Sequence, residues 1–367
     1  MSSLFIGLMS GTSMDAVDAA LVDFSAGHPK LVASHAQPLD DSLRTELRSL
    51  MHASAAELER CAQLDVHMGE LFAQTANALL QKAGVEPEKV CAIGSHGQTV
   101  RHQPSGPYPF SLQIGNPALI AQLTGITTVA DFRRADIAVG GQGAPLVPAF
   151  HNAVLRSSKA DRVIVNIGGI ANITILPADP AIPVGGFDTG PGNTLMDAWI
   201  YRHLKTRMDK DGQWASQGKG NGDLLAHMMS DPYFSLAPPK STGPEYFNLA
   251  WLENKSQPQL SAQDVQATLC EFTAATIAEA IVRHAPHTQE ILICGGGVRN
   301  KTLMRDLMSL LPKRTVTATD AHGIDPDWVE AMAFAWLAKQ TLEGKPGNLP
   351  SVTGARRAVV LGGIYKP

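Results

Sequence analysis

The residue best suited to acid–base chemistry is Asp188, which lies among glycines in the segment 185–193. A carboxylate with open backbone around it can accept a proton from a hydroxyl group or from water. A predicted helix from about Asn193 to His203 follows directly, and its N-terminal dipole should keep the carboxylate ionised. Because Asp is also a preferred helix cap, the segment predicts either a general base or a cap.

Two glycine-containing turns, nearly half a chain apart, are candidates for binding phosphate. Backbone N–H groups and hydroxyl groups in such turns can cradle phosphate oxygens. Asp15 or Asp18 in the first turn could also hold Mg²⁺ through water. A plain hairpin turn would explain either segment equally well. The first comprises Gly11, Thr12, Ser13, Met14, Asp15, Ala16, Val17 and Asp18, and the second contains Asn166, Gly168, Gly169 and Asn172.

A third glycine cluster, Gly295, Gly296 and Gly297, lies between a predicted strand at 290–294 and a predicted helix, with Asn300 close behind. A ligand bound there would meet bare backbone and a helix N-terminus. Three consecutive glycines exceed what a tight turn needs, which favours a nucleotide site. The chain has neither a Walker P-loop nor a G-x-G-x-x-G fingerprint.

Five other polar residues could contact a substrate: His96, Gln98, Arg133, Arg134 and Glu330. The first two follow a predicted strand at 90–94, and ligands of α/β sheets bind at strand ends. The two arginines could clamp a carboxylate, although solvation would explain either. Glu330 falls in the first turn of a helix predicted from Asp325 and Pro326 to about 340, where the dipole alone would explain it.

Strand-like runs alternate with amphipathic helical stretches, which predicts an α/β protein. The strand–glycine turn–strand pattern occurs twice and suggests a duplicated architecture. We expect an N-terminal lobe at 1–130 and a C-terminal lobe at 131–367, whose last segment could return to the first lobe. The stretches 104–117 and 205–223 are expected to be surface loops.

The composition excludes several classes of protein. A net charge of -4 with interspersed acids and bases is unlike a nucleic-acid surface. The four cysteines lack zinc spacing. The N-terminus lacks the charged start of a signal peptide, and no apolar run approaches the roughly 18 residues that a membrane span needs. We therefore expect a soluble cytoplasmic protein.

Taken together, eight segments resemble the anhydro-N-acetylmuramic acid kinase family of bacterial cell-wall recycling. They run in order over nearly the whole chain, so the set is far more specific than any one member. Ala16 departs from the pattern, because the family commonly has Gly there. The segments are 7–15, 95–99, 114–117, 131–134, 140–146, 166–172, 187–193 and 294–300.

The resemblance implies a two-lobed actin-like or sugar kinase (ribonuclease H-like) fold with ATP between the lobes. It makes 11–18 and 166–172 the phosphate loops, 295–300 the adenosine contact and Asp188 the catalytic base. The implied cofactors are ATP and Mg²⁺, and the implied product is N-acetylmuramic acid 6-phosphate. A homodimer with a small-molecule sugar substrate is expected.

Two other interpretations remain open at this point. An ordinary sugar kinase would use Asp188 to deprotonate a substrate hydroxyl directly, since a fold does not determine its substrate. A non-catalytic actin-like ATP-binding sugar sensor would need no base at all.

Overall fold

The computed structural model describes residues 3–11, 14–51, 57–255 and 259–367, and it divides the chain into two compact units. The first unit is Met1–Val154 with Gly323–Pro367, and the second is Leu155–His322. The boundary thus differs from the expected one at residue 130, and the C-terminal segment belongs to the first unit. The reason is aromatic packing, since Phe132 and Phe150 contact Phe334 and Trp336 of that segment.

The first part of the first unit alternates strands and helices. Its strands are β1 Leu4–Ser10, β2 Ala16–Asp23, β3 Lys30–Pro38, β4 Val90–Gln103, β5 Phe110–Ile114 and β6 Thr128–Ala130. Its helices are α1 Asp41–Ser49, α2 Glu57–Ala83, α3 Pro117–Thr124, α4 Phe132–Ala138 and α5 Val147–Leu155. The buried apolar stripe of α2, which includes Leu64, Met68 and Phe72, recurs at helical spacing and packs in the core of this unit.

The second unit follows the same plan with more helices. Its strands are β7 Arg162–Ile167, β8 Ile170–Leu176, β9 Gly185–Pro191, β10 Glu290–Cys294 and β11 Thr315–Ala318. Its helices are α6 Thr194–Leu204, α7 Gln213–Ser216, α8 Gly222–Met229, α9 Pro232–Ser235, α10 Leu249–Glu253, α11 Ala262–His284 and α12 Lys301–Leu310. The returning segment of the first unit adds α13 Val329–Leu342, α14 Pro350–Thr353 and β12 Gly363–Tyr365.

The two sheets share one strand order. The spatial order of the strands in the first unit is β3, β2, β1, β4, β6. In the second unit it is β9, β8, β7, β10, β11. In both, the first three strands form an antiparallel meander and the last two run parallel to the central one. This duplicated order confirms the predicted α/β class and the ribonuclease H-like arrangement of actin-like proteins and sugar kinases.

Helix α13 packs unusually close to the sheet of the first unit. A side chain at Gly7 on β1 or Gly94 on β4 would collide with the backbone of Ala331 or Phe334. Glycine is therefore required at both positions for the helix to lie on the strands. Since Glu330 directly precedes Ala331, this contact also fixes the place of Glu330 over the sheet.

Three local expectations need correction. The last helix begins at Val329 rather than near Pro326, because Asp325 instead accepts the Asp327 N–H in a turn at 3.0 Å. The stretch 104–117 contains β5, which pairs with the extended end of β4 and satisfies its backbone groups. The stretch 205–223 contains α7 and the start of α8.

Among the described helices, α11 is long enough and apolar enough on average to be a candidate membrane span by length and composition only. However, 72% of its apolar window is buried inside the protein. Its buried side chains, including Leu269, Phe272 and Ile277, belong to the core of the second unit. Ser261 caps this helix by accepting the Asp264 N–H at 3.1 Å.

Candidate active site

Three polar side chains lie in one row across the sheet of the second unit. Asn166 on β7 is opposite Asn172 on β8, and Asn172 is opposite Asp188 on β9. Directly paired residues of neighbouring strands project to the same face of a sheet. The second predicted phosphate turn and the predicted base, which are separate motifs in the sequence, therefore share one face.

The backbone of Asp188 is held by the segment 233–242. The Tyr233 hydroxyl donates to the Asp188 carbonyl oxygen at 2.7 Å, and the Asp188 N–H donates to the Lys240 carbonyl oxygen at 3.1 Å. The carboxylate Oδ2 accepts the backbone N–H of Thr242 at 3.0 Å. No described residue donates to Oδ1, so one carboxylate oxygen is available to accept a proton.

The electrostatics of Asp188 differ from the sequence-based expectation. Burial raises the pKa of Asp188 to about 6, against an opposing effect of the Thr242 N–H. Burial thus opposes the charged form that the helix dipole was expected to favour. The alternative of a helix cap is also wrong, since the cap residue of α6 is Asn193. A carboxylate with a pKa near 6 is mostly ionised at pH 7 and is a better proton acceptor than an ordinary Asp.

The segment that holds Asp188 is itself anchored on Asp231, which is 5% exposed. Asp231 accepts the Tyr233 N–H at 3.1 Å, the Tyr246 hydroxyl at 2.8 Å and the Trp251 indole N–H at 2.9 Å. Burial alone would raise the pKa of Asp231, but these donors together hold it below its ordinary value. A charge that accepts several hydrogen bonds makes a rigid anchor.

The second phosphate turn is fixed to the start of α6. The Gly169 carbonyl oxygen accepts the Gly192 N–H at 2.9 Å and the Thr194 N–H at 3.1 Å, and the Gly168 carbonyl oxygen accepts the Asn193 N–H at 2.8 Å. These bonds set the backbone of the turn beside a helix N-terminus, which is a favourable place for an anion.

The three consecutive glycines have different roles. A side chain at Gly295 would meet Asn166 and the Ile167 backbone, and one at Gly297 would meet the Ile167 side chain. At Gly296, by contrast, a Cβ would meet nothing within 4 Å, so this position faces open space. Gly296 is therefore the glycine against which a ligand could lie.

Asn300 is occupied within the protein. It is the cap residue of α12, and its Oδ1 accepts the Leu303 N–H at 3.0 Å. Its side chain is 8% exposed. Because the amide oxygen of Asn300 already accepts the Leu303 N–H, it is not free to accept a hydrogen bond from adenosine.

The first predicted phosphate turn joins β1 and β2, and Thr12 and Ser13 lie outside the described residues. The Met14 N–H closes the turn on the Gly11 carbonyl oxygen at 3.1 Å. Burial raises the pKa of Asp18 to about 6, with further contributions from Asp327 and Asp15. Carboxylates that raise one another's pKa provide a place where a cation would be stabilised.

Gln98 braces this turn. Its Oε1 accepts the Ser10 hydroxyl at 2.6 Å, and its amide donates to the Gly11 carbonyl oxygen at 3.3 Å and to the Thr99 carbonyl oxygen at 3.2 Å. The side chain is fully buried. The predicted substrate contact is thus not available at Gln98, whose polar atoms instead position the backbone of Gly11.

Buried His96 and half-buried Arg133 and Glu330 interact with one another in the first unit. An Arg133 Nη donates to His96 Nε2 at 2.8 Å and the other Nη donates to the Gly143 carbonyl oxygen at 3.0 Å. Burial lowers the pKa of Arg133 to about 10, and Glu330 opposes that change. Burial and the nearby Asp18 raise the pKa of Glu330, while Arg133 lowers it. These three candidate residues therefore come together, and both Nη groups of Arg133 are used in internal contacts.

The loop at 140–146, one of the segments that resemble the family, is held by Asp136. This carboxylate is fully buried and accepts the Gly143 N–H at 2.8 Å. It also accepts the Asn348 amide at 2.6 Å and the Thr353 hydroxyl at 2.8 Å. Asp136 thereby ties the loop and the returning C-terminal segment to α4, which carries the two arginines.

Several residues of these sites carried no clear signal in the sequence. Thr242 acts through its backbone N–H, which every non-proline residue has, and Tyr233 lies far from Asp188 in the chain. Asp136 lies in an ordinary helical pattern. Of these residues, only Asp131 lies in a segment that the sequence analysis named, 131–134. Its backbone φ of 61° is unusual for a non-glycine residue, and nothing in the sequence predicts it.

The family model and the sequence relatives agree on one family. The family model described as Anhydro-N-acetylmuramic acid kinase matches residues 3–367. The Anhydro-N-acetylmuramic acid kinase of Shewanella baltica is 52% identical, with 99% of each chain covered. That of Coxiella burnetii is 51% identical, covering 98% of this chain and 97% of the relative.

A solved structure, the activator of the 2-hydroxyisocaproyl-CoA dehydratase from Clostridium difficile with bound ADPNP, has a TM-score of 0.47 and 12% identity. The match covers 93% of this chain and 97% of that one. With a family match over nearly its whole length and relatives at about half identity, the chain belongs to the anhydro-N-acetylmuramic acid kinase family.

Proposed function

We propose that this protein is an ATP-dependent kinase that opens 1,6-anhydro-N-acetylmuramic acid hydrolytically and phosphorylates it, giving N-acetylmuramic acid 6-phosphate and ADP. Membership of the family supports this proposal. The observation that carries it is Asp188, a partly buried carboxylate with one oxygen held by a backbone N–H and the other available. Such a group is fitted to remove a proton from water.

The reaction requires ring opening because the 1,6-anhydro bridge leaves no free 6-hydroxyl group. In our proposal Asp188 takes a proton from water while the water oxygen bonds to the anomeric carbon. The bond between that carbon and oxygen 6 then breaks, and oxygen 6 takes the γ-phosphoryl group from ATP. The proton leaves Asp188 for solvent after the product departs.

Three loops are proposed to hold the nucleotide. The turns at 11–18 and 166–172 would bind phosphate oxygens through backbone N–H groups, and the segment at 295–300 would contact adenosine, with Gly296 as its open position. Gly169 and Gly168, fixed against the start of α6, give the second turn a rigid backbone. Preorganised donors of this kind stabilise the charge of phosphoryl transfer.

The acidic residues of the first unit fit a magnesium ion. The carboxylate of Asp18 lies near those of Asp15 and Asp327, which raise its pKa. The described residues contain no group of three or more metal-ligating side chains. Mg²⁺ is commonly held by one or two carboxylates together with waters and substrate phosphates. Asp15 and Asp18 would hold the ion, which would neutralise charge on the phosphates.

The resemblance of the segments and the bacterial origin of the relatives support a role in murein recycling in the cytoplasm of a bacterium. We also propose a homodimer. Size-exclusion chromatography with light scattering would test that assembly directly, and a monomer at micromolar concentration would contradict it.

Turnover in ¹⁸O-labelled water tests the proposed reaction. If water attacks the anomeric carbon, the label should appear on the anomeric hydroxyl of the sugar phosphate, provided that the reaction is quenched before anomeric exchange. The phosphate should carry none. Label in the phosphate would show that water attacks phosphorus, and an unlabelled sugar phosphate would favour an ordinary kinase that acts on a free hydroxyl.

A further inference from the structure

Behind the strand that carries Asp188 lies a small cavity within the second unit. Successive residues of a strand point to opposite faces of a sheet, so Phe187 and Thr189 face away from the Asp188 carboxylate, and both line this cavity. Lys240 lines it as well. The cavity has a volume of about 20 Å³, which is room for about one water molecule. A sugar or nucleotide does not fit into this space, so a role for Lys240 in the reaction has to pass through the protein groups that it contacts.

The Lys240 ammonium group is held by aromatic rings and one carbonyl group. Its Nζ lies 4.5 Å from the ring centroid of Tyr233, 5.9 Å from that of Phe187 and 6.0 Å from that of Phe234. It also donates a hydrogen bond to the Tyr233 carbonyl oxygen at 3.1 Å. A cation over aromatic rings is attracted by their quadrupoles, most strongly where water is partly excluded. These contacts hold the half-buried side chain in one position.

Lys240, Tyr233 and Asp188 form a closed circuit of hydrogen bonds. The Lys240 ammonium group donates to the Tyr233 carbonyl oxygen, and the Tyr233 hydroxyl donates to the Asp188 carbonyl oxygen at 2.7 Å. The Asp188 N–H donates in turn to the Lys240 carbonyl oxygen at 3.1 Å. Because each residue is bonded to the other two, a shift of any one of them strains the bonds of the others.

The side chain of Lys240 matters because the chain around it has no regular structure of its own. Residues 236–248 contain neither helix nor strand, so no ladder of backbone hydrogen bonds holds Thr242 in place. Only Ser241 separates Lys240 from Thr242, whose N–H donates to the Asp188 carboxylate at 3.0 Å. Since consecutive Cα atoms are about 3.8 Å apart, the position of Lys240 limits where the Thr242 N–H can lie.

The charges near Lys240 make a lysine a costly choice for packing alone. Helix α11 presents Glu279, Arg283 and His284 to the same cavity. Burial and Arg283 lower the pKa of Lys240, while Glu279 raises it. Burial, Arg283 and Lys240 also lower the pKa of His284. An uncharged side chain would avoid this repulsion, and groups with perturbed pKa values are concentrated at functional sites.

The surroundings of Asp188 indicate how Lys240 influences it. Burial raises the pKa of Asp188 and the Thr242 N–H lowers it. Tyr233 is the titratable group beside Asp188, and burial together with Asp188 raises the pKa of its hydroxyl. The Thr242 N–H, rather than the charge of Lys240, is therefore the route by which the lysine acts on the carboxylate.

We infer that Lys240 is a positioning residue, whose ammonium group is held on the aromatic rings behind β9 and keeps the Thr242 N–H against the Asp188 carboxylate. This inference rests on the proposed function, in which Asp188 removes a proton from water. Lys240 touches neither sugar nor nucleotide in this role.

Lys240→Met tests the role, because it keeps the length of the side chain and removes the charge and the donor. The Thr242 N–H should then bond less firmly to Asp188. We expect kcat to fall by about 10- to 100-fold, as small misplacements of reacting groups do, while KM for sugar and for ATP stays within about twofold. The acidic limb of kcat/KM should move up by about 0.5–1 pH unit, since the weakened bond favours the charged form. Lys240→Arg keeps the charge and the contact with the rings and should retain most of kcat and the wild-type pH profile.

Two further variants separate positioning from charge and from stability. Arg283→Gln removes a charge from the same cavity, and no hydrogen bond joins Arg283 to the described residues of 233–242, so kcat and the pH profile should not change. Tyr233→Phe breaks the circuit by removing one hydroxyl and should move the acidic limb in the same direction as Lys240→Met. An effect of Arg283→Gln as large as that of Lys240→Met would overturn the inference. So would lower stability of Lys240→Met with an unchanged kcat and pH profile, which would reveal a packing role only.

A titration that needs no turnover distinguishes this inference from the proposed function. ¹³C NMR of the aspartate-labelled full chain follows the carboxyl carbon of Asp188, whose signal is identified by its absence from Asp188→Asn. This carboxyl should titrate at a pH of about 6 in the wild type, higher in Lys240→Met and unchanged in Arg283→Gln. The same order in a protein that does not phosphorylate the anhydro sugar would refute the proposed function and leave the effect of Lys240 on Asp188 in place. Equal titration in all three proteins would refute the inference even in a fully active kinase.

Discussion

The two sheets of this protein have the same strand order, but their polar residues are used differently. In the first unit, Gln98, Asp136 and both Nη groups of Arg133 hydrogen-bond to other protein groups. In the second unit, Asp188 lies in a row with two asparagines and keeps one carboxylate oxygen open. Topology alone therefore does not determine chemistry. The partners that each polar group finds determine whether it braces the fold or remains available to a ligand.

The largest expected effect is the loss of catalysis in Asp188→Asn. The amide keeps nearly the same shape but cannot accept a proton, so kcat should fall by about 10²–10⁴-fold. Calorimetry should show that ATP and sugar still bind. Near-normal turnover of this variant would mean that the catalytic base is another residue. The open carboxylate oxygen of Asp188 would then not distinguish the second unit from the first in function.

Asp136, whose carboxylate accepts three hydrogen bonds within the first unit, should affect stability rather than catalysis. Asp136→Ala removes the acceptor of three described donors and leaves them unpaired, so the free energy of unfolding should fall by about 2–4 kcal/mol. Chemical denaturation of the full chain measures this change. Glu88→Ala, which removes an exposed acid of the same unit, is the control and should stay within about 0.5 kcal/mol. Similar stabilities of the two variants would show that the buried network is not a brace.

The open position of the glycine cluster gives a smaller, selective effect. Gly296→Val should raise the KM for ATP by about tenfold, because the new side chain occupies space against which we place the adenosine. Sugar binding should be unchanged. Gly222→Val is a matched control, since this glycine also faces open space in the same unit. If the folded Gly296→Val variant has an unchanged KM for ATP, the adenosine does not lie against this loop.

The smallest expected effect concerns the hydrogen bond from the Thr242 N–H to the Asp188 carboxylate. The activity of the wild type should fall as the pH drops through about 6, where Asp188 becomes protonated. Thr242→Pro lacks the N–H that favours the charged form, so the pKa of Asp188 should rise and the acidic limb of kcat/KM should move up by about one pH unit. Thr242→Ala keeps the N–H and should leave the profile in place. Identical profiles for all three proteins would show that the bond does not tune the base.

Much of the fold was predictable because it depends on local patterns. Strands such as β1 and β7 are apolar runs next to glycine turns, and Ser261 caps its helix as short-range hydrogen bonding requires. The extent of the first unit was not predictable in this way. It depends on aromatic contacts such as Phe132 with Phe334, between residues about two hundred positions apart in the chain.

The sequence by itself determined the family, the α/β class and the identity of the candidate residues, since these follow from residue types in a fixed order. Only the tertiary structure decided their states. It buried Asp188 and raised its pKa, it engaged Gln98 and Asn300 in internal hydrogen bonds, and it separated Arg133 from the exposed Arg134. The physical reason is that burial and hydrogen-bond partners arise from groups distant in the chain, and these set the charge and availability of a side chain.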